Sequence, residues 1–244
     1  MSQTLTEAKR KTGRNDYGDK WVNILGVRIV STSLEAVLEK IAQVCKSSFK
    51  KPFFVTTINP EIVMLAHDDL GYKQILNSSN LPLADGVGLK FAKVNLQIVP
   101  GRRLVQVLID KNYKSFFLGG KDDIASQMAD KFGGLSDPGE VDIKHPVRND
   151  QIVAKINKYG PDILLVAYGA PYQEIWISQN LNSLKAKVVI GVGGAFDYLT
   201  GKAKVPPEWL NSLGLEWAWR LAHEPWRVKR QISLARFVVK VWLG

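Results

Sequence analysis

Four short runs in this chain are apolar almost from end to end, and stretches of helical character separate them. They are Phe53-Phe54-Val55, Ser115-Phe116-Phe117-Leu118, Asp162–Ala167 (DILLVA) and Val188–Val192. A strand with one solvated face alternates apolar and polar residues, whereas a strand covered on both faces reads as an unbroken apolar run. Such strands alternating with helices predict an α/β fold. The expected form is a Rossmann-like, mostly parallel sheet with helices on both faces, plus a C-terminal helical appendage. The 244 residues, 45% of them hydrophobic, suffice for one such domain with an extra segment.

Local signals place the other elements. Trp21–Val30 predicts two short strands around Gly26. Thr32 and Glu35 have capping-box spacing and predict a helix through about Lys46. Asn59 followed by Pro60 predicts a capped helix start after the strand at Pro52–Thr57. Leu81–Ala84 predicts a short buried strand, and Leu70–Asn77, Gly86–Val94, Arg102–Asn112, Asp123–Phe132, Asp150–Tyr159 and Tyr172–Leu184 predict helices. Residues 1–20 are polar, lack the apolar core of a secretory signal and read as a disordered basic lead-in. Residues 21–205 form the expected Rossmann-like domain, and 206–244 a basic, tryptophan-rich appendage.

The net charge is +10, from 33 Lys and Arg against 23 Asp and Glu, which points to an anionic partner: nucleic acid, a membrane surface or a phosphorylated substrate. Five of the seven tryptophans lie beyond Pro206-Pro207, and from Trp217 onward six cations face one acid. On a helix, Val228, Ile232, Ala235, Val239 and Trp242 share one face. That pattern suits a helix lying in a membrane interface, and equally a C-terminal helix packed on the core with a solvated basic side. No stretch approaches the roughly 20 apolar residues needed to cross a bilayer. Cys45 is the single cysteine, so no intrachain disulfide is possible and a reducing compartment is expected. The three histidines are scattered, no Cys/His pair has metal-ligand spacing, and no D-x-D triplet occurs.

In open α/β sheets, ligands bind at the carboxyl ends of the strands. Two apolar runs end there in polar clusters: one in Thr57-Ile58-Asn59-Pro60-Glu61, the other in Asp85-Gly86-Val87-Gly88. Asp85 is a candidate general base, and also a candidate helix cap. Thr57 and Asn59 alternate with Ile58, so their side chains fall on one side, where neutral groups suit sugar hydroxyls or an acetamido group. Turn and cap chemistry accounts for Asn59 as well. Gly119-Gly120, Gly169 and Gly193-Gly194 end other strands and would let backbone N–H groups approach a phosphate. Neither G-x-G-x-x-G nor a P-loop is present. Asp197 is placed to accept from a base N–H or to cap a turn. Without a metal site, Arg102, Arg103 and the arginines of the tail are the charges able to neutralise phosphate.

Six motifs occur in one order: T-x-N-P-E-I-V at 57–63, A-D-G-V-G at 84–88, F-F-L-G-G at 116–120, G-x-P-x-Q-E-x-W-I at 169–177, G-V-G-G-A-F-D at 191–197 and G-L-E-W-x-x-R-L-x-x-E-P-x-R at 214–227. In this the chain resembles the WecG/TagA/CpsF family, glycosyltransferase family 26, over about Asn23 to Arg230. The resemblance implies an inverting, metal-independent glycosyltransferase with no cofactor. Its donor would be a UDP-sugar of N-acetylmannosamine type, and its acceptor a polyprenyl-diphosphate-linked N-acetylglucosamine. The setting would be the cytoplasmic membrane face during cell-surface polymer synthesis, with an anionic membrane surface as partner of the C-terminal segment. Nucleic acid is not among the implied partners, and a homo-oligomer is left open. By motif position Asp85 matches the catalytic base, and Thr57 and Asn59 the active-site polar pair. Gly86, Gly169, Gln173, Gly193, Gly194 and Asp197 would hold the donor or line its cleft, with Arg102 and Arg103 as nearby cations. Arg220, Arg227 and Arg230 match the region that contacts diphosphate. The chain departs from the family pattern at Ile98, where an arginine is usual, and at Arg103, Tyr172 and Val205. The rivals are a weakly active or inactive UDP-sugar-binding relative and a basic nucleic-acid-binding protein.

Overall fold

The computed structural model describes residues 12–14, 20–47, 51–204, 219 and 228–243. Its strands are β1 (Thr12–Arg14), β2 (Lys20–Ile24), β3 (Val27–Val30), β4 (Phe53–Ile58), β5 (Leu81–Ala84), β6 (Ser115–Gly119), β7 (Leu135–Asp137), β8 (Ile163–Ala167) and β9 (Val188–Gly191). They form one sheet in the order β1-β2-β3-β5-β4-β9-β8-β6-β7. From β3 to β7 every pairing is parallel, while β1, β2 and β3 pair antiparallel at one edge. The α/β, mostly parallel architecture is therefore as expected. Thr12–Arg14, inside the stretch expected to be a disordered lead-in, pair with β2 instead.

The helices are α1 (Leu34–Lys46), α2 (Pro60–Asp68), α3 (Leu70–Ser78), α4 (Gly101–Asp110), α5 (Ile124–Phe132), α6 (Asn149–Tyr159), α7 (Tyr172–Asn180), α8 (Ala195–Leu199) and α9 (Val228–Leu243). Two helix starts show how local chemistry sets the boundaries. Asn59 caps α2 as its sequence predicts, Oδ1 accepting from Ile62 N at 3.1 Å, with Pro60 at the first helical position. At α1 the cap is Ser33, whose Oγ accepts from Ala36 N at 3.2 Å, and not Thr32 as the capping-box spacing suggested. The segment expected to be a helix over Gly86–Val94 is a 3₁₀ helix, Val87–Ala92.

Strand periodicity divides the core into two layers. Phe53, Val55, Phe117, Leu165 and Ile190 pack with α1, α4, α5 and α8 on one face. Their neighbours Phe54, Phe116, Leu118, Leu164 and Val189 pack with α6 and α7 on the other. Both faces being covered is why the runs Phe53–Val55, Phe116–Leu118, Ile163–Ala167 and Val188–Ile190 carry no polar alternate positions.

The tail helix decides between the two readings of its apolar stripe. Phe237 is wholly buried in a helix that packs on α2 and the 3₁₀ helix, with Leu234, Val238 and Val241 in the same cluster. Ile232, Val239 and Trp242, on the stripe that suited either a membrane interface or packing on the core, are more than half exposed, so that stripe is not the packed one. Arg236 also forks onto Asp68 of α2 at 3.0 and 3.1 Å, and that contact lowers the Asp68 pKa. An exposed ion pair contributes about 0–1 kcal/mol, whereas burying a phenylalanine side chain contributes about 1.5–3 kcal/mol. Phe237 is thus the stronger anchor. Phe237→Ala is expected to destabilise the chain by about 3–5 kcal/mol, and Ile232→Ser by less than about 0.5 kcal/mol, both measured by denaturant unfolding.

Candidate active site

The chain leaves β5 through Asp85, whose N–H donates to Ile58 O of β4 at 2.7 Å. Gly86 follows with φ +91°, a conformation that side chains disfavour, and turns the backbone into the 3₁₀ helix. Asp85 does not cap that helix, which has no side-chain cap. Its Oδ1 accepts instead from the N–H of Gly101, the first residue of α4, at 3.1 Å. The residue before Gly101 is Pro100, which has no side-chain oxygen to offer, so the carboxylate caps α4 from across a loop. A helix N-terminus favours an anion, through its unsatisfied N–H groups and its dipole. Asp85 is half-buried, so its capping role leaves it reachable from solvent.

Thr57 lies two residues beyond Val55 and so faces the same layer as α4. It is buried, its hydroxyl donates to Gly191 O at 3.3 Å, and a Cβ on Gly101 would lie 3.1 Å from its methyl group. Thr57 therefore spaces α4 from β9. Asn59 is half-buried, and its side-chain oxygen is engaged in capping α2.

Beyond β9, Gly193 N–H donates to Gln173 Oε1 at 2.9 Å, while Gln173 Nε2 donates to Glu174 Oε1 at 2.7 Å. Gln173, expected to line the cleft, is 2% exposed: it supports the β9–α8 turn from behind. Gly169, at the end of β8, accepts from Gln173 N at 2.9 Å and ties that strand end to the same turn. Gly194 and Asp197 sit at the start of α8, both half-buried. Next to Asp197, the Tyr198 ring lies 5.2 Å from the Arg102 guanidinium. Arg102 Nη1 is buried without a hydrogen-bond partner among the described residues.

These contacts close a ring. Asp85 meets Gly101, Gly101 meets Thr57, Thr57 meets Gly191, Gln173 joins Gly191 to Gly193, and α8 returns through Tyr198 to Arg102. A carboxylate, a guanidinium and a glycine-rich turn thus surround the carboxyl ends of β4, β5 and β9. Arg103 is exposed in the first turn of α4, one residue beyond the ring. Arg220 and Arg227 lie outside the described residues, as does the side chain of Arg230, whose backbone is in α9.

The glycosyl transferase WecG/TagA/CpsF family model matches residues 22–244. The chain belongs to that family. A WecG/TagA/CpsF relative from Bacillus subtilis (strain 168), named N-acetylglucosaminyldiphosphoundecaprenol N-acetyl-beta-D-mannosaminyltransferase, is 33% identical over 201 residues, 77% of this chain and 78% of its own length. A relative of the same name from Staphylococcus aureus (strain MRSA252) is 28% identical over 236 residues, 90% of this chain and 91% of its own. The chain is a glycosyltransferase of this family, and no helix among its described residues is long and apolar enough to cross a membrane.

Against the WecG/TagA/CpsF motifs, sequence reasoning missed Tyr198, Glu174 and Tyr72. Glu174 carried a signal: with Gln173, Trp176, Ile177 and Asn180 it falls on the buried side of α7, where an acid is out of place. Tyr72 and Tyr198 are ordinary core aromatics by pattern, and only the fold brings them to the site. Asp85→Ala is expected to cost about 1 kcal/mol through loss of the α4 cap, with Asp85→Asn nearer wild type because it keeps an acceptor; thermal unfolding of the two variants checks this.

Proposed function

We propose that this chain transfers N-acetylmannosamine from a UDP-sugar to a polyprenyl-diphosphate-linked N-acetylglucosamine, with inversion and without a metal, at the cytoplasmic face of a membrane. The relatives' names supply the sugar and the acceptor. The observation that carries the reading on this chain is that Asp85 and Arg102 meet at one helix start. Asp85 accepts from Gly101 N–H, and Arg102 follows directly with a buried Nη1 that no described residue satisfies. Leaving such a guanidinium nitrogen unpaired is costly, and a diphosphate would satisfy it.

In this reading Asp85 takes the proton of the acceptor hydroxyl as that oxygen attacks the sugar's anomeric carbon and the UDP leaves from the opposite face. Arg102, held against Tyr198, meets the charge that develops on the leaving diphosphate; a donor fixed in advance costs no reorganisation during the reaction. The turn at Gly193-Gly194 and Asp197 holds the donor nucleotide, and Thr57 and Asn59 order the strand ends beneath the sugar. Arg103, Arg220, Arg227 and Arg230 are further candidates for the phosphates of donor and acceptor.

The 3₁₀ helix and α9 supply the membrane side. Val87, Phe91, Ile232, Val239, Trp242 and Leu243 are exposed, five of them by about half or more and Phe91 by 46%. Trp242 Nε1 donates to Phe91 O at 2.9 Å, and Lys93 Nζ lies 4.6 Å from the Trp242 ring. Exposed apolar groups among lysines suit an anionic bilayer surface, where each cation adds about 1 kcal/mol. They favour that partner over nucleic acid.

Asp85→Asn is expected to lower turnover by about 10²–10⁴-fold with the fold retained, measured with labelled UDP-N-acetylmannosamine and a short-chain lipid acceptor. Near-wild-type turnover would remove Asp85 from the chemistry, and a wild-type protein that binds UDP without transfer would identify an inactive relative. In flotation with vesicles containing phosphatidylglycerol, the wild type is expected to float and Val239→Glu to remain at the bottom. Absence of flotation together with a salt-sensitive shift of DNA in a gel would favour the nucleic-acid rival.

A further inference from the structure

Glu174 is 0% exposed, and among the described residues no cation pairs with it. Tyr72 OH donates to Oε2 at 2.9 Å and Gln173 Nε2 donates to Oε1 at 2.7 Å, and the backbone N–H of Glu174 itself also favours the charged carboxyl. Burial pushes its pKa up. A carboxyl in this position is expensive, and a well-packed apolar residue would join α3 to α7 at least as well. What an apolar residue could not do is orient Gln173.

A glutamine amide offers an oxygen on one side and an NH₂ on the other, and its neighbours decide which way it faces. The Glu174 oxygen accepts, so it draws the NH₂ toward itself. The amide oxygen is then turned to Gly193, whose N–H needs an acceptor and finds one at 2.9 Å. The same two side chains press on Gly191. A Cβ there would lie 2.8 Å from Gln173 Nε2 and 3.0 Å from Glu174 Oε1, so a larger residue would push this pair of side chains out of place. Thr57 holds Gly191 O from the other side. The backbone of the β9–α8 turn is thereby fixed at two glycines by a chain that starts at Tyr72, in α3.

We propose that Glu174 is a positioning residue of the transfer reaction: through the Gln173 amide it fixes the β9–α8 turn in the shape that receives the nucleotide-diphosphate end of the donor, with Tyr72 holding the carboxyl in place. This rests on the reading of that turn as part of the donor seat. Glu174 itself touches no substrate.

The test compares Glu174→Met, which keeps the volume and removes the acceptor, with Glu174→Gln, which keeps an acceptor for Gln173. The full-length chain is assayed for thermal stability, for KM of the UDP-sugar and of the lipid acceptor separately, and for hydrogen exchange at Gly193. Glu174→Met is expected to raise the donor KM by about tenfold, equivalent to about 1.4 kcal/mol. Acceptor KM should stay near wild type and exchange at Gly193 should accelerate, with a lower melting temperature because Tyr72 OH and Gln173 Nε2 lose their acceptor, while Glu174→Gln recovers most of the donor affinity. A folded Glu174→Met protein with wild-type donor KM and wild-type exchange overturns the proposal. So does a loss in which donor and acceptor KM worsen together in step with stability, as plain structural support predicts. If Glu174→Met does not fold, Tyr72→Phe decides: a raised donor KM with faster exchange at Gly193 supports the proposal, and no change in either overturns it. A wild-type protein that fails to bind UDP, with Gly193 exchange still accelerated in Glu174→Met, would support the relay while overturning the donor assignment.

Discussion

Seven strands that all run the same way deliver their carboxyl ends to one edge of the sheet, and that edge has to be finished with polar groups. Strand ends leave N–H and C=O groups without ladder partners, and a buried backbone group without a partner costs as much as a lost hydrogen bond. This chain finishes the edge with side chains reaching across from other elements. Asp85 satisfies Gly101, Gln173 satisfies Gly193, and Thr57 satisfies Gly191. Of these three groups Asp85 is half-buried and reachable from solvent, while Gln173 and Thr57 are buried and hold the edge from within. Capping is thus compatible with the role of base proposed for Asp85.

Much of the fold was legible because its signals are local. Asn59-Pro60 marks a helix start whatever surrounds it, and unbroken apolar runs such as Phe53–Val55 mean cover on both faces wherever the strand sits. Legibility fails where two local solutions are equally good. Thr32 and Ser33 are both capping residues, and one position decides which serves. The Leu135–Asp137 edge strand is too short and too polar to announce itself. Along α9, residues 234, 237, 238 and 241 share a stripe, and so do 228, 232, 235, 239 and 242. Helical periodicity fits both, and only the shape of the α2 surface selects the first.

The candidate site divides in the same way. Asp85 stood out because a carboxylate followed by glycines at the end of an apolar run is rare. The helix it caps was not foreseeable, because Gly101 lies beyond a 3₁₀ helix and a loop. Gln173 was recognised by its motif and given an outward role; its burial follows from Glu174 beside it, which draws the amide inward. Arg102 was one of several cations by sequence, and its distinction comes from Tyr198, a residue on a five-residue helix that the pattern did not predict.

The two stripes of α9 have different masters. The inner one answers to the packing of Phe237 and must keep its shape. The outer one, Ile232 to Trp242, contributes little to folding and is at liberty to change. In the membrane role proposed for it, that outward stripe could be retuned residue by residue, in grip or in lipid preference, without disturbing the enzyme beneath it. The converse also holds: trimming the whole helix away strips the α2 layer of its cover, so a shortened chain would lose its footing in water and could not serve to test the proposed membrane contact.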